Sequence, residues 1–323
     1  MIWVTWRQHR TEAIVAGILL ILFTLFLLLT GLELRRVYIL GGKSGVESFA
    51  GSFPFVAIHL LPLLLGAFVG APLISQELER GTHRLAWTQG VTSKRWFMSK
   101  MLLIAVPTLV IFLFLSRILM WWNQPINEAI GPWSTFDANG FVIIAHALFA
   151  LALGTFLGAI VGKSVAAIAL FVPIFPVVRL FFIWLRQYYL PPMSLHWNYM
   201  GENPFDKLGN IWLLEQSYVD RFGQLINFDL VFRTCYPKGN AFYYAHIFDP
   251  NIFSCLRENG FSIVEWYQPV ERFWLFQGIE TLIFLALALS LVGVTVWWLK
   301  KRVVEIILYL HSERISSLQE ESN

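Results

Sequence analysis

Five ionisable side chains, His59, Arg117, His146, Arg179 and Glu280, stand inside long apolar runs. Imidazole and carboxylate groups exchange protons or hold a cation, and a guanidinium clamps an anion, so the set has the makings of acid–base or charge-binding chemistry. Charge in hydrocarbon is costly, and such residues usually face a bundle interior or an aqueous path. At 1.5 Å per helical residue all five lie roughly 7–11 Å below the same ends of their runs, as one polar layer. The competing reading is structural: both arginines snorkel to the headgroups and Glu280 caps its helix end. His146 is in step with Gly154, Gly158 and Gly162, and His59 precedes Gly66 and Gly70 by seven and eleven residues. If those glycines face protein, both histidines do too.

A second set fills residues 75–100, a charged, helix-capable island between two apolar runs. Helical spacing puts Glu77, Glu79, Arg80 and Arg84 on the exposed side of a short helix, with Leu78, Leu85 and Trp87 turned towards the membrane. Gly81-Thr82 breaks that helix, and Lys94, Arg95 and Lys100 lead into the next run. Such a surface suits charge-assisted docking to a soluble partner. The plain alternative is a solvated turn whose charges only fix topology.

Other chemistry is excluded by spacing. Gly162-Lys163-Ser164 resembles the end of a phosphate-binding loop, but the motif needs glycine at position 157, which is Leu. Neither His-Glu-x-x-His nor Gly-x-Ser-x-Gly occurs, and the cysteine pair is far from metal-ligand spacing. The expectation is a chain with no catalytic constellation, no metal and no nucleotide site of its own.

The elements that position both sets are membrane helices. Hydrophobic residues make up 57% of the chain and charged residues 14%, against about 45–50% and about 25% in soluble domains. Six windows, 13–30, 53–74, 101–122, 140–162, 165–185 and 273–299, approach or exceed the ~20 apolar residues that cross a bilayer. Open sheets leave edge amides unpaired in lipid, so the windows predict helices. The first reads as a retained signal-anchor, because residues 30–33 offer no small-residue cleavage pattern. Ahead of it, Trp3 and Trp6 among Arg7, His9 and Arg10 predict a helix lying along the interface. Arg7, Arg10, the basic residues of 75–100, Lys163 and Lys300-Lys301-Arg302 share one side, while loops 31–52 and 123–139 carry only Arg35, Arg36 and Lys43. The positive-inside rule places both termini and the 75–100 island in the cytoplasm. The net charge of +3 reflects this bias, with no basic stripe for nucleic acid.

The predicted fold class is therefore all-α and polytopic, with six transmembrane helices. Residues 1–185 form a membrane domain, 186–272 a segment outside the cell, and 273–323 the last span and a cytoplasmic tail. The outer segment holds turn formers such as Pro191-Pro192 and Asp249-Pro250 between aromatic-rich pieces at 210–218 and 260–267, which predicts a folded cap. Both cysteines, Cys235 and Cys255, fall in it. They either pair in an oxidising exterior or remain two thiols. Prolines 62, 72, 107, 173 and 176 predict kinks in the second, third and fifth spans.

The run Glu77-Leu78-Glu79-Arg80-Gly81-Thr82, then Leu85, Thr88, Val91, Thr92 and Lys100, resembles the cytoplasmic connection of ABC-2 type permeases, the membrane subunits of ATP-binding-cassette exporters. Thr5–Arg10, Gly70-Ala71-Pro72-Leu73, and Tyr267–Trp274 with Gln277 and Glu280 are similar to a bacterial subgroup of that family. The resemblance implies a non-catalytic permease in a bacterial cell membrane, paired with a second permease, identical or related, and with two copies of a separate ATPase. ATP and Mg would bind that ATPase, and this chain would bind no cofactor. Glu77, Glu79, Arg80, Gly81, Thr82, Arg84, Trp87 and Arg95 would form the coupling helix and its contacts. The polar layer would border the path of an apolar cargo such as a peptide, antibiotic or lipid. Two other classes compete: a membrane-embedded enzyme using that layer, and a receptor or scaffold using the outer segment.

Overall fold

The computed structural model describes residues 2–50, 54–81, 92–197, 210–235 and 250–321. The chain is mostly helical. In order it forms α1 (Ile2–Ala50), α2 (Pro54–Leu65), a π-helical turn (Gly66–Gly70), α3 (Ala71–Glu79), α4 (Ser93–Ile130), α5 (Val142–Val161) and α6 (Ser164–Leu185). Then come β1 (Met193–Trp197), β2 (Trp212–Val219), β3 (Leu225–Ile226), α7 (Phe228–Cys235), α8 (Pro250–Glu258), β4 (Ser262–Gln268) and α9 (Phe273–Glu321). Two compact units result, one of residues 1–129, 135–184 and 277–323, the other of 130–134 and 185–276.

Five helical stretches of the described residues are long and apolar enough to cross a membrane: His59–Glu79, Ser93–Ile130, Pro132–Val161, Ser164–Tyr188 and Val270–Lys301. This is a multi-pass membrane protein. The 13–30 window lies inside α1, which runs on to Ala50 and leaves helical geometry only at Gly42. The expected interfacial helix is thus no separate element: residues 2–12 are the first turns of α1.

The third of those stretches is the hub. In it, 78% of the apolar window is buried, against 22–44% in the other four. The reason is its run of small residues. A Cβ added at Gly154 would stand 2.3 Å from the Gly66 carbonyl oxygen, and one at Gly158 only 2.2 Å from that of Ala71. Backbone therefore touches backbone where α5 meets the π turn and α3, the close approach that holds helices together in lipid. The π turn follows from Pro72, which has no N–H to give the carbonyl four residues back; the Ala71 N–H instead reaches the carbonyl of Gly66. At the far end of α5, Gly162 takes a left-handed conformation (φ 68°) and returns its N–H to Gly158. Phe149, Phe171, Phe175 and Phe284 fill the space between α5, α6 and α9.

The second unit corrects the all-α expectation. It contains a four-stranded antiparallel sheet in the order β1-β4-β2-β3. The central strand β4 buries Ile263, Val264 and Glu265 in succession, so it lacks the in–out alternation that betrays a half-exposed strand. Cys235 and Cys255 form a disulfide between α7 and α8, over a small core of Val231 and Leu256 with Tyr218, Ile226 and Phe261.

Candidate functional site

The polar cluster of the membrane unit begins with the turn that precedes α5. Thr135 donates to Asn127 Oδ1 (2.8 Å), Asn139 Nδ2 donates to the same oxygen (3.1 Å), and Gln277 Nε2 donates to the Phe136 carbonyl (2.7 Å). Held from α4 and α9, the turn carries Asp137 to the first turns of α5. There Asp137 Oδ1 meets Arg179 Nη2 of α6 at 3.0 Å. The same guanidinium reaches Glu280 Oε1 of α9 through Nη1 at 3.2 Å, and it also contacts His146 Nε2 of α5. Its central carbon, Cζ, lies 5.2 Å from the Phe284 ring centre, and the His146 ring meets that phenyl edge-on at 4.6 Å. Glu280 is fully buried, and His146 and Arg179 nearly so.

Three titratable groups, from two helices and a turn, thus surround the Arg179 guanidinium of a third helix. Burying them costs several kcal/mol each, offset only because Arg179 serves two carboxylates at once. His146 Nε2 also lies 3.3 Å from Glu280 Oε1. Its two contacts make opposite demands: towards a guanidinium, which only donates, Nε2 must accept, while towards a carboxylate it must donate. The position of one proton therefore decides which neighbour His146 holds.

Of the sequence-derived layer, the structure brings together His146, Arg179 and Glu280. His59 stands at the edge, its side chain 46% exposed, with Nε2 3.9 Å from Asp137 Oδ2. Arg117 does not join: it is exposed on the outer face of α4, where Leu115 and Ser116 take the inward positions. Sequence reasoning missed Asp137, which sits in a connection and not in an apolar run. Its signal was a single carboxylate amid Trp-Ser-Thr-Phe-Asp-Ala-Asn-Gly directly before a span. Donor atoms of Asp137, His146 and Glu280 lie within 4.8 Å of one another, a spacing that would suit a metal ion. Arg179 already occupies the cationic position on both carboxylates, so the residues do not fit a resident divalent ion.

The 75–100 connection departs from expectation in one respect. Glu79 is exposed as expected, whereas Glu77 is only partly so, and both carboxylates bond neighbouring helices. Glu77 bonds Lys100 of α4, with side chains 25% and 14% exposed, and the ammonium stands 4.9 Å from the Trp96 ring centre. Glu79 Oε2 accepts from the backbone N–H and the hydroxyl of Ser164, both at 3.2 Å, capping α6. Ser75 donates to the Ala71 carbonyl (2.8 Å) and lies 3.0 Å from the Ser164 hydroxyl. The cause is local: α3 ends against the first turns of α4 and α6, whose unpaired N–H groups and Lys100 recruit the nearest carboxylates. Arg80, at the end of α3, and Arg95 remain exposed, and Gly81 turns the chain at φ 70°. Thr82, Arg84 and Trp87 lie outside the described residues.

Residues 43–186 match a family model whose description is ABC-2 membrane transporter related. Over these residues, somewhat less than half of the chain, the protein is similar to that family. No curated protein and no solved structure matches the chain. The ABC-2 segment contains the π turn and its glycine contacts, the 75–100 connection, and Asp137, His146 and Arg179. Glu280, the fourth member of the buried cluster, comes from outside it.

Proposed function

We propose that this protein is the permease subunit of an ABC exporter, set in a bacterial cell membrane with six spans and both termini in the cytoplasm. Two permeases, identical or related, pair with two copies of a separate ATPase, which binds ATP and Mg. The 75–100 connection seats on that ATPase as the coupling element. The cluster of His146, Arg179, Glu280 and Asp137, with His59 at its edge, borders the translocation path. The observation that carries this reading is the ABC-2 match across 43–186, because it spans both the connection and the helices the connection enters. The bonds from Glu77 to α4 and from Glu79 to α6 support it: a displaced connection would pull directly on both helices. Docking then falls to exposed cations, Arg80, Lys94 and Arg95 among the described residues.

The test is co-purification of the tagged protein from its native membrane. An ATPase in stoichiometric amount is expected, and Arg80→Glu/Arg95→Glu should weaken its association roughly tenfold or more, since charge reversal at an interface replaces attraction with repulsion. Both positions are exposed, so thermal stability should hold within about 0.5 kcal/mol. A protein that purifies with no nucleotide-hydrolysing companion overturns the reading.

A further inference from the structure

Beside the buried cluster lies a cavity of about 430 Å³, within the size range of sites for small molecules. Its walls come mainly from α2, α5 and α6. Leu63, Phe175 and Pro176 make most of it apolar, while Asp137, His146 and Arg179 close one side. That polar side is engaged within the protein. Asp137 and Glu280 both hold Arg179, His146 lies against Arg179 and Glu280, and His59, Asp137 and Glu280 have interactions beyond these. It selects neither sign of charge, and an ion entering there would give up its hydration to compete with contacts already made. The occupant these walls suit is uncharged hydrocarbon.

The way in decides where that hydrocarbon comes from. Leu60 and Leu180 line the cavity and are 43% and 64% exposed, so it meets the outer surface of α2 and α6. Leu64 and Val177, one turn away on the same faces, are exposed too. These residues lie in two of the apolar stretches that cross the membrane, His59–Glu79 and Ser164–Tyr188. The mouth is therefore continuous with the surface that acyl chains cover. A recess left empty there would rob its lining of dispersion contacts, and water in it would face apolar walls. A chain from the bilayer restores those contacts without leaving hydrocarbon.

We propose that one acyl chain of a bilayer lipid occupies this cavity, entering between α2 and α6 and lying against Leu63, Phe175 and Pro176, with its headgroup left at the mouth. The proposal requires only that the helices span a membrane. It depends neither on the permease reading nor on an ATPase.

The probe is a phosphatidylcholine with a photoreactive diazirine midway along one acyl chain, in nanodiscs that hold the full-length protein. Crosslinks are mapped by peptide mass spectrometry, with Val110 and Leu282, exposed on α4 and α9, reporting the ordinary surrounding lipid. Phe175 is only 3% exposed, so lipid reaches it only by way of the cavity. It should be labelled alongside Val110 and Leu282. Leu63→Trp, which fills the cavity, should cut the labelling of Phe175 roughly fivefold or more and leave the other two unchanged. Leu60→Trp/Leu180→Trp, at exposed positions of the mouth, should do the same and keeps the test decisive if Leu63→Trp does not fold. Exchanging the headgroup for anionic phosphatidylglycerol should leave the labelling of Phe175 as it was. Labelling of Val110 and Leu282 without Phe175, or labelling of Phe175 untouched by the tryptophan variants, would overturn the proposal. So would labelling that follows the headgroup charge. If the small neutral probe adamantyl diazirine labels Phe175 where the lipid does not, the cavity takes a freely diffusing apolar molecule and the acyl-chain assignment fails.

Discussion

Gly158→Ala should destabilise the membrane unit although it adds a single methyl group. The new Cβ would lie 2.2 Å from the Ala71 carbonyl oxygen and 3.3 Å from its carbon, where ordinary contact begins at 3.4 Å. The obstacle is backbone, not the end of a movable side chain, so α3 and α5 have to part by roughly 1 Å, which close-packed interiors resist. Overpacking of this kind costs about 1–3 kcal/mol. Against it stands the gain of about 0.8–1 kcal/mol for alanine over glycine in a helix, leaving a net loss of about 0–2 kcal/mol. Gly293→Ala in α9 provides the reference, since nothing lies within 4 Å of the added Cβ; only the propensity gain remains, and it should stabilise by up to about 1 kcal/mol. The two variants are read against each other by equilibrium unfolding in mixed micelles, followed by circular dichroism. The expected difference is about 1–3 kcal/mol, with Gly158→Ala the weaker protein. Gly154→Ala should behave alike, and the double variant should cost less than the sum because both positions abut Ala71. Equal stability of Gly158→Ala and Gly293→Ala would refute the claim that α5 and α3 meet backbone to backbone.

Removing one partner of the buried cluster should be severe: Arg179→Met leaves two carboxylates facing each other and should cost about 3–5 kcal/mol in the same unfolding assay. Arg117→Gln, at an exposed position, should change stability by less than about 0.5 kcal/mol. Cys235→Ser/Cys255→Ser should lower the stability of the 185–276 unit by about 3 kcal/mol through the freer unfolded chain, visible as faster proteolysis within that unit. A double-mutant cycle of Glu77→Gln and Lys100→Met should return a coupling of about 0.5–3 kcal/mol, because the pair is largely shielded from water.

Much of this architecture was legible because a bilayer imposes strong rules. Apolar runs of sufficient length reported the helices, and glycines spaced by four reported the face on which α5 meets the π turn. The depth of His146, Arg179 and Glu280 reported a layer, since charge in hydrocarbon has to find charge. Depth alone says nothing of azimuth, and so Arg117, at the same level, was grouped with residues it does not touch. Asp137 escaped for the converse reason: a carboxylate in a connection is unremarkable until a turn bends it back over a helix. The sheet was hidden because β4 is buried on both faces. Its aromatic stretch at 260–267, and that at 210–218 which becomes much of β2, read only as folded. The partial burial of Glu77, and the bonds of Glu77 and Glu79 to other helices, were missed because helical spacing orders the residues of one helix and is silent on the ends of two others.

Put together, the contacts make α6 the element that joins the connection to the buried cluster. Its first residue, Ser164, is held by Glu79 at the end of α3. Arg179 lies fifteen residues further along, roughly 22 Å at helical rise, where Asp137 and Glu280 hold it. The π turn and α3 are fixed to α5 by backbone contacts that leave no room for sliding, so these elements shift as one block. The hold on α6 at its two ends is of a different kind: directional polar bonds that re-form after a small displacement, with phenyl rings of Phe171 and Phe175 between. A pull on the end of α3 therefore has a defined route. It acts on α6 through the Glu79 cap, and the groups that would feel an axial shift of α6 are those around Arg179. There the competing demands on His146 Nε2 offer a ready second arrangement, in which the imidazole releases the guanidinium and donates to Glu280. Glu79→Gln, which keeps an acceptor for Ser164 but removes the charge, should leave the fold intact while loosening that route, whereas Glu79→Ala removes both. On the proposed permease reading, transport should fall in the order wild type, Gln, Ala, with association of the proposed ATPase unchanged. A fall in association parallel to the fall in transport would instead assign Glu79 to the partner surface and refute the route through α6.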